Sequence, residues 1–140
     1  MNEELKQYCD RVQEQVKIAE TCLARVGQHL LSPEATPLAN WKTLLQQATA
    51  ECAAKRESAQ QAAQRLKLGL EEKETGAPLD ESNLEGEAIK AESQADREEG
   101  LALDAMAVAA HAILQAEVAI LKAFKTRKTA FDLERFRNTF

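Results

Sequence analysis

The sequence predicts an all-α fold, an elongated bundle of three long helices with coiled-coil-like packing, and three observations carry that prediction. Of 140 residues 25 are Ala, while Gly contributes 5, Pro 3 and aromatics 4%; this diet favours helices and starves sheets. Apolar residues recur at steps of three and four along most of the chain, the period of one helix face. The interruptions hold capping and helix-stopping residues. A chain of this length is the usual size of one domain, so residues 1–140 are expected to form a single helical-bundle domain.

The first helix is expected over 3–31, where Leu5, Tyr8, Val12, Val16, Ala19, Leu23, Val26 and Leu30 line one narrow stripe. Ser32-Pro33 and Thr36-Pro37 then place a hydroxyl residue before a proline, which caps free N–H groups and presets a first turn. A second helix over 37–74 follows from Trp41, Leu45, Ala48, Cys52, Ala59, Ala62 and Leu66, with Lys55 standing where the stripe expects an apolar residue. Gly76 and Pro78 are its stop signals.

Ser82-Asn83-Leu84-Glu85 has capping-box spacing and opens a third helix over 82–128. Its stripe runs through Ala88, Ala91, Ala95, Ala102, Ala105, Ala109, Ala112, Ala116, Ala119 and Ala123, which reads as a seam for tight helix packing. Glu98-Glu99-Gly100 is the weak point, because Gly costs about 1 kcal/mol against Ala inside a helix. The segment is either one helix or two meeting at Gly100, which would make a four-helix bundle. At about 1.5 Å per residue an unbroken third helix would be roughly 70 Å long and would overhang its partners. An apolar overhang in water favours a homo-oligomer, a dimer or higher, or a fold-back at Gly100.

Net charge is −5 overall, but it divides into +1 over 1–70, −8 over 71–99, −2 over 100–121 and +4 over 122–140. The acidic centre argues against nucleic acid as a partner of the whole surface. The segment 122–140 holds all four phenylalanines, Phe124, Phe131, Phe136 and Phe140, among Lys122, Lys125, Arg127, Lys128, Arg135 and Arg137. Burying a Phe is worth about 1.5–3 kcal/mol against 0–1 for an exposed charge pair, so this end is expected to dock within its own assembly, or to serve a protein partner. The acidic run is its electrostatic counterpart, within a chain or between chains.

No transmembrane segment is expected: the most apolar stretch, 101–124, carries Asp104, His111, Gln115, Glu117 and Lys122. The N-terminus lacks the basic start and apolar run of a signal peptide, and three cysteines are an odd number, which suits a reducing compartment. A cytoplasmic location is the expectation.

Chemistry-bearing residues are sparse. Asp104, His111, Gln115 and Lys122 share one stripe of helix three, which reads as a wet side or a register-fixing polar layer. A ferritin-like di-metal site needs Glu-x-x-His pairs, and Val26 and Val108 stand where His29 and His111 would need Glu. A carboxylate-only site from Glu14, Glu20, Glu51, Glu57 or Glu92 is the remaining metal alternative. Cys9, Cys22 and Cys52 form no C-x-x-C pair and read as inert seam residues, with Cys22 and Cys52 able to approach one another. No nucleophile triad or glycine-rich phosphate loop stands in the chain, so no catalytic, cofactor or metal residue is assigned.

The functional expectation is therefore a non-enzymatic helical scaffold or adaptor that self-associates and makes protein–protein contacts. The residues expected to carry those contacts are Ala109, Ile113, Ala116, Ile120, Phe124, Phe131, Phe136 and Phe140. A metal-binding bundle of unusual type is one alternative, and a peripheral membrane or nucleic-acid binder using 122–140 is another.

Overall fold

The computed structural model describes residues 3–31, 36–71 and 79–139. It is all-α: α1 spans Glu3–His29, α2 spans Leu38–Glu71, and α3 spans Leu84–Thr139, preceded by a single 3₁₀ turn at Glu81–Asn83. The expected stop at Gly76 and Pro78, and the Ser32-Pro33 break, lie outside the described residues.

Both α1 and α2 pack along α3. Successive contacts fix the directions. Cys22 reaches Ile113 and Arg25 reaches Glu117, so α1 runs parallel to α3. Trp41 lies against Phe124, Cys52 against His111 and Arg65 against Asp104, so α2 runs antiparallel to it. This is the up-down-up order that short connections between long helices produce.

Two expectations about α3 need correction. It does not break at Gly100, so the four-helix alternative is not what forms; 56 residues continue as one helix to Thr139. At about 1.5 Å per residue that is about 84 Å. Its start is also not a capping box: Asp80 accepts from the Ser82 backbone N–H, and the Asn83 side chain accepts from the Gly86 N–H at 3.1 Å. Asn83 therefore does the capping that Ser82 was expected to do.

The inward face of α3 is a third departure. The buried residues are Ala110, Leu114, Glu117 and Leu121, whereas Ala105, Ala109, Ala112, Ala116, Ala119 and Ala123 are exposed. The alanine stripe thus faces away from α1 and α2. Leucine buries far more apolar area than alanine, so the bundle closes on the line through Leu114 and Leu121 and leaves the alanines outside. A similar shift affects α1, where Cys22 is buried while Val16 and Leu23 are exposed. In α2 the expected line through Trp41, Ala48, Cys52, Ala59 and Ala62 is buried as the period indicated.

The core has two adjoining clusters: Cys22, Cys52 and Leu114, and then Trp41, Ala48 and Leu121. Trp41, 1% exposed, is the largest buried side chain and packs on Phe124 at 5.1 Å and edge-on to His29 at 6.0 Å between ring centroids. Near the other end α2 comes close to α3: a Cβ at Gly69 would run into Leu101, so glycine permits the approach. The apolar middle of α3 lies alongside α1 and α2 rather than in an overhang. Leu84 and Ile89 at one end, and Phe131, Leu133 and Phe136 at the other, are exposed.

Candidate interaction face and the polar layer beneath it

Viewed by helical period, the side of α3 opposite Leu114 and Leu121 is apolar for a long stretch. Ala109 and Ala116 are exposed on it, and Ile113 and Ile120 flank it half-buried. Between Glu98 and Arg127 the carboxylates of Asp104 and Glu117 point to the flanking helices, and exposed Lys122 borders the face beside Ala123. Of the residues expected to make contacts, Ala109 and Ala116 lie on this uncovered side, Ile120 edges it half-buried, and Ile113 at its edge also packs against the core cluster of Cys22, Cys52 and Leu114.

The aromatic end divides. Phe124 is half-buried against Trp41, so this one phenylalanine docks on its own bundle. Phe131 and Phe136 are 52% and 65% exposed; the expected docking of these two is not observed within one chain. Lys128 Nζ and the Arg135 guanidinium lie 5.6 and 5.9 Å from the Phe131 ring centre, within cation–π range. Phe140 lies outside the described residues. The segment is a straight continuation of α3, so it cannot fold back onto the acidic start of the same helix.

Beneath the face sits a polar layer that the sequence pattern did not single out. Glu117 is 2% exposed, and its carboxylate accepts from Arg25 Nε at 3.1 Å and Nη2 at 3.0 Å. Arg25 also donates to Glu51 at 2.9 Å, which ties α1, α2 and α3 together at one level. His29 Nε2 stands 3.8 Å from Glu117. The hydrogen bond to Glu117 holds the Arg25 guanidinium protonated, further above its already high ordinary value. A cavity of about 70 Å³ lined by Arg25, His29, Gln47, Glu51 and Glu117 adjoins the layer. The only sequence hint was position: Glu117 occupies the line Ala110, Leu114, Leu121.

The other expected polar groupings come apart. Asp104 pairs with Arg65 at 2.9 Å, His111 turns to Cys52 with Sγ and Nε2 3.6 Å apart, and Gln115 and Lys122 are exposed. These four side chains form no common pocket. Cys52 therefore has a histidine neighbour that no local spacing announces, since His111 lies 59 residues away in sequence. His111 borders a second cavity of about 60 Å³ with Lys55 and Ser58. Cys22 and Cys52 share a core cluster but all three cysteines are free thiols. Burial, then the nearby Glu117 charge, pushes the Cys22 thiol up, which suppresses the reactive thiolate.

Among the described residues, no three His, Cys, Asp or Glu side chains gather where they could hold a metal ion. In the polar layer the charge facing Glu51 and Glu117 is already supplied by Arg25. The helical run Glu81–Thr139 contains a window with mean hydropathy 1.5, long and apolar enough to cross a membrane, of which 28% is buried. Both carboxylates near that window, Asp104 and Glu117, are paired with arginines from the flanking helices. No family model, curated protein or solved structure matches the chain.

Proposed function

We propose that this protein is a non-enzymatic helical scaffold or adaptor that works in the cytoplasm through self-association and protein–protein contact. The contact surface is the uncovered face of α3 carrying Ala109, Ile113, Ala116 and Ile120, extended by Phe131 and Phe136. One observation carries the reading: the most apolar helix turns its small-residue side outward while its two partners cover the other side. Alanine brings backbones close together and tolerates little growth where another helix seats. Large single apolar patches on a monomer mark interaction sites.

Light scattering after size exclusion tests this on the full chain, on Ala116→Arg and on a chain ending at Lys125. The expected result is a defined oligomer whose mass falls in Ala116→Arg with helix content and melting temperature unchanged. An oligomer indifferent to that substitution would sink the assignment of this face. A second reading, a peripheral membrane binder, is favoured by the exposure of Phe131 and Phe136 beside Lys128 and Arg135. Salt-sensitive cosedimentation with anionic vesicles, lost in Phe131→Ser/Phe136→Ser, is its expected signature.

A further inference from the structure

We infer that the occupant of the uncovered α3 face is the α3 of a second copy, running antiparallel, with the two-fold axis beside Leu114. The inference rests on the scaffold reading of this face and specifies its partner and orientation.

The first argument is spacing. Ala105, Ala109, Ala112, Ala116, Ala119 and Ala123 are all exposed and follow alternating steps of four and three, the repeat that keeps one seam against a partner helix. In an antiparallel pair centred at Leu114 the six mesh completely: Ala105 meets Ala123 of the partner subunit, Ala109 meets Ala119 of the partner subunit, and Ala112 meets Ala116 of the partner subunit. Ile113 then flanks Ile113 of the partner subunit, so the larger residues close the edge of an alanine contact.

Charge supplies the orientation. Along α3, residues 84–99 carry −4 and residues 122–139 carry +4, on either side of the apolar face. The centres of these two blocks are about 60 Å apart on one helix, so they cannot meet within a chain. Antiparallel pairing about Leu114 lays the acidic block over residues 129–139 of the other chain, which are neutral in sum, so the favourable contacts are particular pairs: Glu92 falls beside Arg135 of the partner subunit and Arg137 of the partner subunit, whereas parallel pairing lays like on like. It also brings Glu98 and Glu99, at one edge of the face, to Arg127 of the partner subunit.

The chain exposes 10408 Å², against about 7,200 Å² for a compact monomer of its mass, an excess that belongs to the whole rod and of which the α3 face is one part; a stable pair of chains buries roughly 1,600 Å² in total.

The test uses the full chain and sedimentation equilibrium at low and high salt. A dimer of twice the 15.5 kDa chain mass is expected. Arg127→Glu alone, and Glu98→Arg/Glu99→Arg alone, should each weaken it by on the order of tenfold at low salt. Combining all three changes in one chain should restore it, because every Glu–Arg contact is re-formed with its polarity reversed. A parallel dimer keeps like charges together in all these variants, so reversals without effect overturn the antiparallel arrangement while leaving the face intact if Ala116→Arg still yields monomer. A dimer that survives Ala116→Arg overturns the inference and the scaffold face together. A full-length monomer at about 100 μM overturns self-association, and binding of that monomer to anionic vesicles would assign the face to a membrane instead. All the substituted side chains lie toward solvent or at the edge of the face, so circular dichroism melts should stay unchanged; a variant that melts early is replaced by Arg127→Gln and Glu98→Gln/Glu99→Gln, for which smaller effects in the same direction are expected.

Discussion

Glu117 is the residue on which the three helices depend jointly. It is nearly inaccessible and receives two hydrogen bonds from Arg25, which also reaches Glu51. A buried ion pair adds little over a well-packed apolar pair, yet removing one partner leaves an uncompensated charge. Arg25→Met should therefore cost about 3 kcal/mol, and joint replacement with Glu117→Leu should recover most of that loss. Urea unfolding of the two single variants and the double variant measures this. Single variants within 0.5 kcal/mol of the parent protein would mean that the pair is solvated and contributes nothing. The sequence marked Glu117 only as a polar residue in an apolar stretch. Its partner lies 92 residues away, and no local spacing connects positions so distant.

At the scale of elements, the existence and order of the three helices were legible because periodicity and capping are local properties. Which side of each helix turns inward was legible only for α2. There Trp41, Ala48, Cys52, Ala59 and Ala62 form one apolar line with no rival. On α3 two lines competed, one of alanines and one through Leu114 and Leu121, and the larger side chains took the interior. The continuity of α3 through Gly100 carries its own expectation. A Cβ there would meet nothing within 4 Å and the residue is helical, so Gly100→Ala should stabilise by about 0.5–1 kcal/mol. Thermal melts decide it: a lower melting temperature would mean that the chain turns at this glycine. Gly69 is the contrast, since its missing side chain makes room for Leu101.

The whole molecule is a rod rather than a sphere, built on a helix of 56 residues that outreaches partners of 27 and 34. The expected maximum dimension in small-angle X-ray scattering is therefore about 85–90 Å for one chain. An antiparallel pair centred at Leu114 would be only slightly longer, whereas a value near 50 Å would mean that α3 folds back. Rod shape also holds the acidic and basic blocks of α3 apart within one chain, so that only the inferred antiparallel pair would bring them near one another. The sequence had left intrachain pairing open, and the straightness of α3 removes it.

By itself the sequence determined that this protein is helical, roughly where each helix runs, and that its charge is segregated along the third. These are consequences of local propensity, period and composition, which act within a few turns of chain. Tertiary structure decided which face of α3 is core and which stays uncovered, and it brought Arg25 to Glu117, Cys52 to His111 and Trp41 to Phe124. Those outcomes depend on how three surfaces divide a limited apolar area among themselves. That competition is settled by volume and burial across the bundle, and no single stripe of residues encodes it.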